Sequence, residues 1–272
     1  MIGMALVAIL MCANLTSCDK DDNDSKENLT NTTDNGGEED YNNNGKKRLA
    51  KVMIYNLASG NKVLDESVEF VYGENGNVVK TIEGYRDNVS WETESYEHIW
   101  NFNKSFTIRQ DEEETDEFIL ENGRVTKQIN VDEGDEEVIT TYFDYEKGYI
   151  KECRHFSEIE GDLDENESWT SSFSWVDGKL SSVFDEGEMT TFLYSDQTCK
   201  KGFFPLFHLY IEDFEYFYIF MAQPELIGLK TTHLPSEMTG SDGTFEYEFD
   251  SEGYVIGCTV SEDNDYYAFF WE

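Results

Sequence analysis

Basic residues are scarce in this chain. Lys and Arg number 20 against 58 Asp and Glu, giving a net charge of −38 over 272 residues. Such a balance repels nucleic acid and anionic surfaces, so nucleic acid is excluded as a partner. Proline is rarer still, with 3 residues, and His numbers 4. His98, His155, His208 and His233 stand far apart, and none neighbours a Cys or carboxylate at metal-ligand spacing, so no metal site is expected. Of the 5 Cys, Cys153, Cys199 and Cys258 lie beyond the N-terminal region, an odd and scattered set that forms no complete disulfide framework. No G-x-S-x-G elbow, Walker loop, H-E-x-x-H or dinucleotide fingerprint occurs, which leaves no catalytic residue to name and no cofactor to expect. After the N-terminus no apolar run is long enough for a membrane-spanning helix.

The N-terminus carries the most specific signal. Met1–Ala13 is almost wholly apolar, too short to span a bilayer and close to the length of a signal-peptide core. It runs into Leu15-Thr16-Ser17-Cys18 and then Asp19-Lys20-Asp21-Asp22. Small residues before a Cys are what bacterial lipoprotein processing cuts. The expectation is a signal peptide over 1–17 and a lipidated Cys18 as mature N-terminus, with the membrane as partner through that anchor. No Lys or Arg precedes the apolar run, which departs from the usual signal pattern. Residues 18–47 are Asn, Asp, Glu, Ser, Thr and Gly with little that is apolar, and are expected to form a disordered acidic tether. A flexible chain of that length spans about 30 Å.

From Leu49 apolar and polar residues alternate, the signature of strands. One motif recurs: aromatic-x-aromatic, a polar turn, Gly, one residue, then an aliphatic. It runs through Phe70-Val71-Tyr72 with Gly76 and Val78, and Phe118-Ile119-Leu120 with Gly123 and Val125. It continues in Phe143-Asp144-Tyr145 with Gly148 and Ile150, Phe173-Ser174-Trp175 with Gly178 and Leu180, and Tyr247-Glu248-Phe249 with Gly253 and Val255. Trp100-Asn101-Phe102 and Phe192-Leu193-Tyr194 read as copies without the glycine. Each copy reads as a β-hairpin with a glycine turn, at intervals of roughly 18–30 residues that mark a repeat architecture. Two-residue spacing puts both aromatics on one face, against a core, and the opposite face is polar. Carboxylates are too many for sequence to select a pair. Asp162-Leu163-Asp164-Glu165-Asn166-Glu167 opens like a calcium loop but lacks the sixth-position Gly, and reads as a solvated hairpin loop.

Residues 203–229 break the pattern. The apolar stretch from Phe203 to Leu229 places Ile211, Phe214, Tyr218 and Met221 at helical spacing, with Pro205 and Pro224 suited to first helical positions. The final strands are apolar on both faces and so call for cover on both. The expectation is that 203–229 supplies it, with Phe214, Phe217 or Phe220 touching the last two strands and any ligand groove lying where the cover stops.

The lipidation signal, the tether, the aromatic hairpins and the closing Tyr247-Glu248-Phe249-Asp250-Ser251-Glu252-Gly253-Tyr254 hairpin together resemble a group of uncharacterised Bacteroidetes lipoproteins. Leu226-Ile227-Gly228-Leu229 followed by His233-Leu234-Pro235-Ser236 resembles the segment before their last hairpin, and the hairpins look like diverged YD (RHS-type) repeats. The resemblance implies outer-membrane anchoring, and Cys18-Asp19-Lys20-Asp21-Asp22 looks like an acidic signal for the outer leaflet; it implies no catalytic residues.

The fold expected is all-β: an antiparallel meander of repeated β-hairpins in a twisted or half-barrel sheet over 48–272, with a short helical insert near 203–229. The function expected is a surface lipoprotein, not an enzyme, acting as a binding or scaffold module for a glycan or protein partner. A secreted hydrolase of glycans or peptides is the alternative, and a deep pocket holding two carboxylates, or a carboxylate and a His, would favour it. An adhesion or assembly subunit is a third reading, which a large exposed apolar patch would favour. Oligomeric state and ligand are not legible.

Overall fold

The computed structural model describes residues 47–58, 60–87, 90–110, 113–132, 137–159, 161–185, 187–200, 218–229, 231, 233–239, 243–261 and 264–272. The signal region, Cys18 and the tether lie outside the described residues.

The strands are β1 (Leu49–Asn56), β2 (Val63–Tyr72), β3 (Val78–Asp87), β4 (Ser90–Asn101), β5 (Ser105–Gln110), β6 (Glu113–Glu121), β7 (Arg124–Asp132) and β8 (Glu137–Glu146). They continue as β9 (Tyr149–Ile159), β10 (Asp162–Val176), β11 (Lys179–Asp185), β12 (Glu188–Thr198), β13 (His233–Thr239), β14 (Phe245–Phe249), β15 (Val255–Val260) and β16 (Asp265–Trp271). They form one 16-stranded sheet in the order β13 down to β1, then β16, β15, β14. Every pairing is antiparallel. The chain therefore meanders, and β1 is zipped to the last strand. The edge strands β13 and β14 meet through a Glu237–Thr244 bridge and a hydrogen bond from Met238 N to Gly243 O of 2.8 Å, so the sheet is a nearly closed barrel. Pro235, which has no N–H to offer a further strand, sits in edge strand β13.

The barrel has two unlike ends. The turn end holds the tight connections after β2, β4, β6, β8, β10 and β14 and both ends of the long connection from β12 to β13; the loop end holds the others. Gly76, Gly123, Gly148, Gly178 and Gly253 are all at the turn end with φ between 74° and 88°, the conformation their hairpins require. Both ends of the barrel segment also lie there: Arg48 N donates to Glu272 O at 2.8 Å.

The repeat motif encodes a hydrogen bond as well as a turn. Each post-glycine aliphatic sits at a β-bulge, as where Tyr145 pairs Ile150 while Asp144 pairs Glu152. Its carbonyl is reached by the second aromatic of the following strand. Trp100 Nε1 donates to Val78 O (2.7 Å), Trp175 Nε1 to Ile150 O (2.7 Å) and Trp271 Nε1 to Val255 O (2.6 Å). The hydroxyls of Tyr72, Tyr145 and Tyr194 do the same to Leu49, Val125 and Leu180. All six acceptor residues are buried. One copy departs from the register its sequence suggests: its paired aromatics are His98 and Trp100, while Phe102 leaves the strand and stands in the turn at φ 51°, 85% exposed.

Strand parity gives the wall two faces. Inward lie Val52, Phe70, Phe106, Phe118, Phe143, Phe173, Val183, Phe192, Val260 and Phe269, all buried. Outward lie charged residues such as Lys51 and Glu69 (2.6 Å apart) and Arg154 and Asp144 (2.7 Å). A sheet of this strand number encloses a lumen too wide for wall side chains alone to fill. The insert fills part of it. A single helical turn (Ile219–Ala222) and a 3-10 turn (Pro224–Ile227) are buried inside the barrel, and Pro224 does occupy a first helical position.

The described part of the insert, from Tyr218 onward, reaches walls other than the last strands to which the sequence assigns it. Phe220 packs edge-on against Phe118 of β6 (centroids 5.7 Å apart), and Gln223 Oε1 accepts the Val78 N–H at 2.9 Å. Gly228 lies so close to the β8–β9 turn that a Cβ would stand 2.9 Å from Ile150 N. Phe214 and Phe217 lie outside the described residues. The last strands need no second cover, because Ile256 and Phe270 face outward and are 37% and 47% exposed. Apolar residues on both faces of a strand thus mark, in β15 and β16, an outer face left partly open. Cys153, Cys199 and Cys258 are buried thiols outside any disulfide, packed as small apolar groups.

Candidate functional site

The lumen changes character along its length. At the turn end the motif aromatics and the insert make a dense core, with Trp100, Phe106 and Phe118 stacked in sequence at 4.6 and 4.7 Å. Toward the loop end the same inward positions become polar. On one wall Gln128 and Asn130 donate to Asp116 Oδ1 at 2.9 and 3.2 Å, Ser157 donates to Glu137, and Ser171 to Asp185. His155 contacts Thr141 Oγ1 at 3.2 Å and stacks on Trp169, with centroids 5.0 Å apart.

The opposite wall, β2 to β4, encloses a cavity of about 530 Å³ with Glu66, Glu83, Tyr85, Glu94, Tyr96 and Tyr218 in its lining. Register places these carboxylates together: Glu83 is paired with Val68 on one side and with Glu94 on the other. Glu66 shares the inward face two residues before Val68. Tyr218, the first described residue of the insert, closes the cavity toward the turn end and donates to Glu66 Oε2 at 3.0 Å. The cavity therefore borders the first described residue of the insert.

Each carboxylate is held differently. Glu94 Oε1 accepts from Tyr85 at 2.9 Å, and its Oε2 accepts from Tyr96 at 2.8 Å and from Gln110 at 3.1 Å. The Tyr96 bond most of all, then those of Tyr85 and Gln110, holds Glu94 below the ordinary carboxylate range. Glu83 has one long contact, from Thr81 Oγ1 at 3.5 Å. Burial, reinforced by the Glu94 and Glu66 charges, pushes its carboxyl up to about 8. Thr81 also meets His98 Nε2 at 3.3 Å, and burial pushes that imidazole down to about 4, so His98 is neutral. Burial, then the Glu66 charge, raises the Tyr218 hydroxyl, which stays a donor. The cation in the cavity lining is Arg86, whose Nε donates to Leu64 O at 3.2 Å. The site thus offers carboxylate acceptors, one protonated carboxyl and tyrosine rings. It suits neutral hydroxyl-rich or cationic groups and opposes anions.

Sequence spacing singles out none of these residues, although the signal is present. Glu66 shares parity with Val68 and Phe70, and Glu94 with Tyr96 and His98. Acidic residues are so common in the chain that an inward one does not stand out. The suspected calcium segment is strand rather than loop from Asp162, and among the described residues no group of His, Cys, Asp and Glu could hold a metal ion.

No protein-family profile and no curated protein sequence matches the chain. The fold is similar to the crystal structure of a porin-like protein from Bacteroides uniformis, with a TM-score of 0.61 and 11% identity over 82% of this chain and 98% of that one. The likeness is one of fold. A membrane-spanning barrel shows lipid an apolar outer band. Here outward positions include Lys51, Glu69, Glu97, Glu117, Lys127 and Asp144 beside exposed Tyr142, Phe184 and Phe270, while the motif aromatics such as Phe70, Phe118 and Phe173 are inside. The described outer face is thus mixed, with charged residues interspersed among apolar ones, and not a continuous apolar band.

Proposed function

We propose that the chain is an outer-membrane lipoprotein, anchored through Cys18 and exposed at the cell surface, that binds a ligand in the loop-end cavity of its barrel. The observation that carries the reading is the cavity itself: carboxylates on three adjacent strands, faced by tyrosines, at the end of the barrel opposite the Arg48–Glu272 pairing. Tyrosine rings offer stacking area and the Glu94 oxygens accept hydroxyl or ammonium protons. A neutral glycan or an amine-bearing sugar fits that lining, and an acidic glycan does not. The barrel wall, with charged pairs outside and a core inside, supports a soluble domain carried on a tether.

Screening the full-length protein on a glycan array, with hits measured by calorimetry, tests this. Hits should be uncharged or cationic. Glu94→Gln and Tyr96→Phe should weaken them by about 10- to 100-fold, the worth of a hydrogen bond to a charged group. Hits dominated by acidic glycans, or unaffected by both substitutions, would count against the lumen site.

A second reading, a glycan hydrolase, has one specific support. Glu83 and Glu94 are register partners, so their Cβ atoms stand about 4.5–5.5 Å apart, and they protonate in opposite directions as an acid and its partner must. Against it, both Glu94 oxygens are already engaged by protein donors. Turnover of an aryl glycoside, abolished in Glu83→Gln, would establish this reading over simple binding.

A further inference from the structure

The two ends of the barrel differ in charge as sharply as in shape. At the loop end Asp65, Asp87, Asp162, Asp185, Glu188 and Asp265 lie at strand ends, and among the described residues the cations there are Lys62, Arg86 and Arg109. At the turn end carboxylates are balanced by Arg48, Lys104, Arg124, Lys147, Lys179 and Lys200. Some of these are already engaged: Arg124 lies over the Tyr145 ring and Lys179 over the Tyr194 ring. Lys104 and Lys147 stand at turn tips and have no ion-pair partner among the described residues.

Beside Lys104 stands Phe102. It is the most exposed large apolar residue described, at 85%, and it occupies a left-handed backbone conformation that a bulky side chain rarely adopts. Equivalent turn positions hold Asn122, Lys147 and Asp177, so the hairpin itself does not call for a phenylalanine. Strained backbone that presents an aromatic ring to solvent points to something outside the fold. The third observation is the chain path. Arg48 is hydrogen-bonded to Glu272 at this end, so the segment leading back to Cys18 joins the barrel here.

We propose that the turn end is a bilayer-contact surface, with Phe102 seated at headgroup level and Lys104 and Lys147 on lipid phosphates. This rests on the lipid-anchor reading above. A tether of that length does not orient its domain, but the charge separation does. The acidic loop end is repelled by an anionic surface, while the balanced turn end with its free lysines and aromatic tip is not. An aromatic beside a cation is the pairing favoured at a membrane interface. The barrel then stands on its turns, and the cavity opens away from the membrane.

The test anchors the protein chemically, so that it does not depend on natural processing. Full-length chain with Cys12→Ser is coupled through Cys18 to maleimide-bearing vesicles of phosphatidylglycerol and bromine-labelled phosphatidylcholine; Cys153, Cys199 and Cys258 are buried and so shielded from the reagent. Phe102→Trp should add emission that is blue-shifted and quenched by the brominated lipid, beyond the behaviour of the 5 native Trp. Leu163→Trp, near the loop end, should add unquenched emission. Adding Lys104→Glu and Lys147→Glu to the Phe102→Trp variant should release its quenching. Quenching in the Leu163→Trp variant instead, or in neither, overturns the proposal. Loss of the natural lipid on Cys18, read separately by mass spectrometry, would remove the anchor reading while the coupled vesicles still report orientation.

Discussion

Trp175 Nε1 donates to Ile150 O at 2.7 Å, joining the end of β10 to the bulge at the start of the neighbouring β9. The acceptor residue is fully buried, and the bulge takes its carbonyl out of the strand ladder. The same bond recurs from Trp100, Trp271, Tyr72, Tyr145 and Tyr194. The recurrence explains why the second aromatic of these copies is Trp or Tyr and not Phe. Only a ring carrying a donor satisfies the stranded carbonyl.

Trp175→Phe keeps an aromatic ring in place and removes that donor. It should destabilise the barrel by about 1–3 kcal/mol, the cost of a buried acceptor left unmet. Tyr194→Phe should behave alike at Leu180. Urea unfolding measures both. A change within experimental scatter for both variants would show that the motif is about packing alone.

This bond also marks how far the sequence can be read. The spacing of Phe173, Trp175, Gly178 and Leu180 is local, so hairpin, turn and inward face are all legible from it. What the motif does not contain is the partner strand. The Trp175–Ile150 bond and the closure of β1 on β16 join residues far apart in the chain and need the assembled sheet. Counting in twos from Trp100 assigns Phe102 inward, and the count fails because the strand ends at Asn101. The apolar residues on both faces of Tyr266–Trp271 assign the insert to the last strands. Yet Phe270 is simply exposed, and Phe220 crosses the lumen to Phe118. Periodicity reports which face a residue takes and not which distant wall it meets. The cavity carboxylates are hidden by abundance.

Phe220→Ala should therefore cost about 3–5 kcal/mol, as expected for a large aromatic removed from a packed core. Phe270→Ala, on the outer face of the last strand, should stay within about 0.5 kcal/mol. Thermal unfolding of the two variants separates a lumen insert from a cover on β16. The reverse ranking would restore the placement read from sequence.

Gly84 in β3 lies beneath Trp91 of β4, and a Cβ there would stand 2.6 Å from Trp91 Cζ2. Alanine normally suits a strand better than glycine, so the sign of Gly84→Ala is decided by the indole. The single variant should lose stability. In the Gly84→Ala, Trp91→Ala double variant the clash is gone, and the coupling should be about 0.5–3 kcal/mol. Additive losses would mean that Trp91 shifts freely.

Glu83 makes stability depend on pH in a direction unusual for a carboxylate. Its folded value of about 8 lies above its ordinary value of 4.5. The fold binds the proton more tightly than the unfolded chain, so this contribution is complete below about pH 4.5 and is lost as pH rises toward 8. His98, lowered to about 4, acts on the other side: its contribution is lost as pH falls below 6.5. Glu83→Gln should flatten the decline between about pH 4.5 and 8 and leave the trend below about pH 4.5 unchanged. Melting temperature against pH for wild type and variant reads this out, and parallel curves would refute it.

The central claim is that ligand enters the barrel rather than resting on its wall. A crystal structure of the full-length protein with the strongest array hit decides this directly. The account predicts ligand density in the loop-end cavity, in contact with Glu94, Tyr96 and Tyr218. Density on the outer face of the sheet, with the cavity holding only water, would contradict it.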